Sequence, residues 1–563
     1  MAERLPLTYK DADVELESLA DPQDFEDPDS PLPLLHDDDD DDDNDNDHAN
    51  TNRQTALGRL TCSNIMRNTP KWMRTAQPRG RSAWHNVFDA LKPRLTWRYV
   101  VSALVVLYVF YCIIFQSPLF ASNLPAYTGP FEVGAIDVEV PVRTPRKTSD
   151  WVLASNGKPA FELETVLFTL YYPAAQDAKS DNHHPWVPKP VSLTAEGYAR
   201  AAHFNNFISR PVFTFALWAI AGSIKIPAMV DVPLMHKDKD GKPDRNTVVI
   251  FSHGQASSRT DYTHYCGELA SRGIIVAAIE HRDGSAPGSI VTSKEGKERR
   301  VMYLNKNDLQ NGKDMDDDAF KFEQLAFRQA EIEETVAVLK SLHAGKGATV
   351  FADNARKEGR DLTGWEDRLN FTQIIIAGHS LGATGALQAL RGAPSAKNPA
   401  VGGVIFDPGK SSGRLNTDID VPVLIINSDS WSKKVTVFFG RPHFDTVKEI
   451  AQDVLKRIGA SWFLTSMRTS HPSVTDAPLI EPWLLRWTTG ATIDAVQGVD
   501  TYIHPTAKFL SFVSTGKRSS VLALGVTHEE YGKDIRTDSE KKGFSQDLVR
   551  YWQVHVAPQP EIE

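Results

Sequence analysis

The sequence predicts an α/β domain: a mostly parallel central sheet with helices on both faces. Three observations carry that expectation. Continuous apolar runs bounded by turn residues recur at 247–251 (TVVIF), 274–279 (IIVAAI), 374–377 (IIIA), 401–406 (VGGVIF) and 421–426 (VPVLII). Strands covered on both faces look like this, because neither side needs to meet water. Between them, residues 317–343 place Phe320, Leu325, Ile332, Val336, Leu339 and Leu342 at helical spacing, and alternating strand and helix patterns imply a parallel sheet. Lastly, one apolar run leads directly into Gly378-His379-Ser380-Leu381-Gly382 and then a helix-like stretch at 383–390. That is the strand, sharp turn and helix of a nucleophile elbow, which narrows the fold to the α/β-hydrolase type. Two earlier runs, 135–142 (AIDVEVPV) and 163–172 (LETVLFTLYY), read as further strands.

The chain has 563 residues, more than one core usually organises, and the N-terminal fifth looks different from the rest. Residues 1–52 form an acidic tail: nine of the eleven residues from Asp37 to Asp47 are aspartate, a composition that cannot bury itself and reads as disordered. Residues 53–98 are basic, with ten Lys or Arg against the single acid Asp89. Residues 99–116 then open with seventeen uncharged positions, YVVSALVVLYVFYCIIF, which reads as a transmembrane signal-anchor helix. It lies too deep in the chain for a cleavable signal peptide. With the cations before it, the positive-inside rule keeps the N-terminus cytoplasmic and sends the catalytic domain, 120–563, to the lumenal or extracytoplasmic side as a single-pass type II protein. No basic stripe interleaved with aromatics indicates nucleic acid. The three cysteines, Cys62, Cys112 and Cys266, leave the large domain without a partner for an internal disulfide. No Cys/His pair has zinc spacing, so neither metal nor cofactor is expected, and no protein partner is indicated.

Ser380 is the candidate nucleophile. The elbow exposes its hydroxyl above the sheet, and the backbone N–H of Leu381, opening the following helix, is a candidate oxyanion donor. A second donor belongs at an earlier strand end. Residues 249–255 (VIFSHGQ) supply one, with the N–H of Gln255 as candidate and His253 as a structural hydrogen-bonding residue rather than a base. In this fold acid and base follow the serine in that order. Asp407 (in VIFDP) and Asp429 (in LIINSD) both end apolar runs, and pattern leaves the two open. Among the later histidines, His471 stands in a loop after the apolar run 462–465, where a base belongs. His443 and His504 adjoin prolines in polar turns, and His528 near the C-terminus reads as a surface residue.

At these residues the sequence resembles the platelet-activating factor acetylhydrolases of the plasma and intracellular type II class, with their fungal relatives. The resemblance rests on residues 251–254 (FSHG), Arg259-Thr260, 268–273 (ELASRG), 276–283 (VAAIEHRD), 128–134 (TGPFEVG), 170–173 (LYYP), and Arg328-Gln329 with Glu331-Ile332. Family membership implies Asp407 as the acid and His471, in SHPSVTD at 470–476, as the base. It implies calcium-independent hydrolysis of the sn-2 ester of phospholipids with short or oxidised acyl chains. The chain departs from the family pattern at Gln255, where an apolar residue is expected. Pro472 also follows the base directly and restricts its backbone, and the stretch between Asp407 and His471 is longer. A carboxylesterase acting on non-phospholipid esters and a catalytically inactive hydrolase-fold binding module are the competing readings. The aromatic stretch 204–218 (FNNFISRPVFTFALW) suits either a lipid interface or a buried helix.

Overall fold

Ten strands hydrogen-bond into one sheet. In chain order they are β1 (Val133–Lys147), β2 (Glu162–Pro173), β3 (Met229–Val230), β4 (Asn246–Ser252), β5 (Ile275–Ile279), β6 (Leu369–His379), β7 (Ala400–Phe406), β8 (Val423–Ser428), β9 (Ser461–Ser466) and β10 (Trp552–Val556). Their spatial order is β10-β9-β8-β7-β6-β4-β5-β2-β1-β3. The strands from β9 across to β5 all run parallel, while β2 and β10 are antiparallel to their neighbours. The computed structural model describes residues 97–115, 117–235, 245–293, 295–312, 315–537 and 546–560. The acidic tail and all but Trp97 and Arg98 of the basic segment lie outside the described residues.

The central strands are buried on both faces, as their unbroken apolar runs require. Val248, Ile250, Ile374, Ile376 and Ile405 join one core; Val249, Phe251, Ile375, Ala377 and Phe406 join the other. Among the described residues the helices of eight residues or more, again in chain order, are α1 (Trp97–Phe115), α2 (Val191–Ala201), α3 (Ser209–Ala221), α4 (Thr263–Ala270), α5 (Asp317–His343), α6 (Leu381–Ala389), α7 (His443–Ile458), α8 (Pro482–Thr489) and α9 (Ala495–Thr515). Helices α5, α6 and α7 cover the first face through Ile332, Val336, Ala386, Leu387 and Val447, and α4 and α9 cover the second through Tyr265, Leu269, Val499 and Phe509. Asp316 caps α5, its carboxylate accepting from Ala319 N–H at 2.6 Å.

Three expectations change. His443 and His504 are not in polar turns: His443 is the buried first residue of α7, and His504 lies within α9. A proline directly before a helix is tolerated, and Pro505 is carried inside α9. His528 is buried rather than on the surface.

The third concerns the N-terminal span. Among the described residues, 97–111 belong to one unit and those from Cys112 onward to another. Residues 97–115 are helical, and Leu104, Val106, Leu107 and Phe110 are exposed. Among the described residues, however, no helix is long and apolar enough to cross a membrane. The uncharged run of seventeen residues rises about 26 Å against a hydrocarbon core of roughly 30 Å. The span expected at 99–116 is therefore seen as an exposed apolar helix somewhat shorter than that core.

Candidate active site

Strand β6 delivers Ser380 to the sheet's carboxyl end, and α6 starts at the next residue. Ser380 sits at φ 56°, ψ −124°, a strained conformation for a residue with a side chain, costing on the order of 1–3 kcal/mol. Its surroundings hold it there. The Ser380 N–H donates to Phe406 O at 3.0 Å, and its carbonyl accepts from Ala383 N–H at 2.9 Å and Thr384 N–H at 3.1 Å. The flanking glycines follow from close packing. A Cβ on Gly378 would lie 2.3 Å from the Gly382 carbonyl oxygen, and one on Gly382 would lie 2.1 Å from the carbonyl oxygen of Ser252. The loop after β4 also packs here, less tightly, since a Cβ on Gly254 would come within 3.2 Å of Ser380 Cβ.

Asp407 follows β7 at φ 44°. It is fully buried and accepts from the Ser428 N–H at 2.6 Å and the Ser428 hydroxyl at 2.8 Å. His471 opens a short 3-10 turn, His471–Val474, beyond β9. Its Nδ1 lies 2.9 Å from Asp407 Oδ2, and its backbone N–H donates to Ser430 Oγ at 3.1 Å. Pro472 takes the second position of that turn, where its missing N–H leaves no bond unmade, so the imidazole still reaches the carboxylate. The ring is sandwiched: Trp431 stacks on it at 4.0 Å and 14°, and His379 lies 4.4 Å away.

Burial pushes the Asp407 carboxyl up to about 6, against the nearby His379 and the Ser428 hydrogen bonds, which favour the ion. Burial is also the main cause holding His379 well below the usual histidine range, with His471 adding to it. His379 Nδ1 is 2.8 Å from the Tyr262 hydroxyl, which accepts from Gly254 N–H at 3.1 Å. Serine, imidazole and carboxylate on one sheet edge, beside a helix N-terminus, make an arrangement suited to acyl transfer. His379, Asp407 and His471 also place three ligand-type atoms close together.

A family model for platelet-activating factor acetylhydrolase, isoform II, matches residues 119–517. The chain belongs to that family. A platelet-activating factor acetylhydrolase from Cavia porcellus is 25% identical over 332 residues, covering 56% of this chain and 64% of the relative. One from Gallus gallus is 25% identical over 279 residues, covering 48% and 57%. The chain thus spans roughly three fifths of the length of these relatives. Among solved structures, a ferulic acid esterase from Streptomyces cinnamoneus has a TM-score of 0.45 at 18% identity, covering 71% of this chain and 95% of that one.

In this platelet-activating factor acetylhydrolase family member, Asp407 and not Asp429 is the carboxylate at His471. Asp429 instead accepts from Arg468 N–H at 2.8 Å and from the Tyr531 hydroxyl. Leu381 occupies the first turn of α6. Gln255 lies in the loop against Ser380, with its side chain between the Tyr303 hydroxyl at 2.7 Å and Lys321 Nζ at 2.5 Å.

Sequence reasoning missed Trp431, Ser428 and Tyr262, whose placement depends on which loops meet. It also missed a second relay. Ser252 Oγ lies 2.6 Å from His281 Nε2, and His281 Nδ1 lies 2.5 Å from Glu331 Oε2. This repeats the serine–histidine–acid pattern with all three residues buried, as Ser380 also is, and Ser252 Oγ additionally accepts from Arg328 Nη1 at 3.2 Å. The signal was present in the 276–283 and 328–332 matches, which carry His281, Arg328 and Glu331.

Proposed function

We propose that the chain hydrolyses the sn-2 acyl ester of phospholipids bearing short or oxidised chains, through an acyl-enzyme on Ser380. The observation that carries this is the strained Ser380 elbow on the same sheet edge as the Asp407–His471 pair, in a member of this family. In the first half-reaction Ser380 Oγ attacks the ester carbonyl carbon and its proton passes to His471. Asp407 orients the imidazole and offsets its charge. The developing oxyanion is met by the Leu381 and Gln255 N–H groups. Collapse expels the glycerol oxygen, which takes the proton from His471 and leaves as a lysophospholipid. Water then attacks the acyl-enzyme by the same route and releases the carboxylic acid.

The surface supports access from lipid. Phe207, Val212, Phe215 and Trp218 on and before α3, and Trp483 and Trp487 on α8, are exposed. Two residues of the segment that follows α1 in sequence are stitched beside them: Leu119 N–H donates to Ala219 O at 3.3 Å and Ser122 N–H to Ile480 O at 2.8 Å. The deciding experiment is hydrolysis of phosphatidylcholines of graded sn-2 length by the purified protein. Rates should fall steeply as a two-carbon acyl group is lengthened toward sixteen carbons. Equal rates on simple aryl and alkyl esters, with none on phospholipid, would favour the general carboxylesterase, and no turnover of any ester would favour the binding module.

The raised Asp407 carboxyl gives a pH dependence. His471 needs the ionised carboxylate, so kcat/KM should fall about tenfold per unit as the pH drops below about 6. The limb belongs to the coupled pair. A limb near pH 4, the ordinary carboxylate value, would contradict the buried setting.

Attachment of the enzyme to a membrane through α1, with its N-terminus cytoplasmic, belongs to the same proposal. It rests on the exposed apolar face of that helix and the basic residues before it. The full chain should pellet with membranes after alkaline carbonate, and a chain starting at residue 120 should not. Cleavage of the C-terminal portion by protease added to sealed microsomes without detergent would refute the orientation.

A further inference from the structure

We propose that His253 is a positioning residue that aims the Gln255 N–H into the oxyanion hole. The inference rests on the Ser380 reading and extends it to a group that never touches substrate. His253 is fully buried. Its Nε2 lies 3.0 Å from the backbone nitrogen of His281, and a backbone N–H only donates, so Nε2 is the acceptor. In a neutral imidazole the proton then sits on Nδ1. Nδ1 is 2.8 Å from the Gly254 carbonyl oxygen and donates to it. Burial, with Arg328 nearby, keeps the ring neutral by holding it down at about 4.

The consequence follows from peptide geometry. The Gly254 C=O and the Gln255 N–H belong to one trans peptide and point in opposite directions. Fixing the oxygen on the His253 ring turns the Gln255 N–H away from it. Both neighbouring amides are committed elsewhere, Gly254 N–H to the Tyr262 hydroxyl at 3.1 Å and Ala256 N–H to Ser285 O at 2.8 Å. Among the described residues the Gln255 N–H makes no hydrogen bond. It is a donor held without a partner, in a loop packed against Ser380. Arg328 steadies the loop from behind, donating to His253 O at 2.6 Å and pairing with Asp283 at 2.8 Å. The buried Ser252–His281–Glu331 relay fixes the residue whose N–H sets the His253 tautomer.

The test compares His253→Leu, which removes the donor, with His253→Asn, whose amide nitrogen replaces Nδ1. His253→Leu should lose about 100- to 1000-fold in kcat, the usual loss for one oxyanion donor, with KM little changed. His253→Asn should recover at least about tenfold of that loss. It should also bind a trifluoromethyl ketone, which forms an anionic tetrahedral adduct, more tightly than His253→Leu does. If the leucine variant does not fold, the asparagine variant alone decides. It should keep kcat within about a hundredfold of wild type and keep the ketone's advantage over substrate. Wild-type kcat in His253→Leu, or equal losses in both folded variants, would overturn the proposal. So would a crystal structure of either variant with the 254–255 peptide unchanged while kcat has collapsed. Failure of the Ser380 reading shows separately, as full turnover in Ser380→Ala.

Discussion

Replacing Ser380 by alanine is expected to cut ester turnover on the order of a million-fold, the scale seen when a hydrolase loses its nucleophile. The fold should survive. Ser380 is held by backbone hydrogen bonds to Phe406, Ala383 and Thr384, which alanine keeps, and the strained φ of 56° is imposed by the strand-to-helix turn. Relieving none of that strain and removing only Oγ, the substitution should leave the melting temperature near wild type. A fluorophosphonate probe should label the wild-type chain and fail to label the variant. Labelling that persists in Ser380→Ala would place the reactive hydroxyl elsewhere.

Asp407→Asn should cost about 10⁴-fold in kcat, because an amide in place of the carboxylate favours the wrong imidazole tautomer and leaves the imidazolium without its counter-charge. The carboxylate accepts from Ser428 twice and faces His471 Nδ1 at 2.9 Å. An asparagine there must turn one N–H toward a donor, so some loss of stability should accompany the loss of rate. Asp429→Asn is the matched control. It accepts from Arg468 N–H and the Tyr531 hydroxyl, away from His471, and should change kcat less than about threefold. A large loss in Asp429→Asn with little in Asp407→Asn would reverse the assignment of the acid.

Much of this was legible in residue order. The buried strands announced themselves as unbroken apolar runs because helices cover both faces. The helix Asp317–His343 was read to its ends because its apolar residues recur at helical spacing throughout. Less legible were the elements whose signals conflict. His443 beside Pro442 and His504 beside Pro505 read as turns, yet packing retains both within helices. The run at 99–115 carries the composition of a span but lies at the edge of the length that a bilayer demands.

By itself the sequence determined the elbow. A serine between two glycines, after an apolar strand and before a helix, has few other conformations, because local sterics dictate them. Strand pattern left Asp407 and Asp429 open, with only the family resemblance pointing to Asp407, and with reason. Both end parallel strands, and strand ends look alike along the chain. The tertiary structure adds the contacts, bringing the turn at His471 to 2.9 Å from Asp407 and engaging Asp429 with Arg468 and Tyr531. It also decided what sequence could not encode locally: that Trp431 and His379 enclose the imidazole, and that His253, in the loop after β4, is held in one tautomer by the backbone of another strand's end. These are contacts between residues tens to hundreds of positions apart, fixed by the order of strands in the sheet.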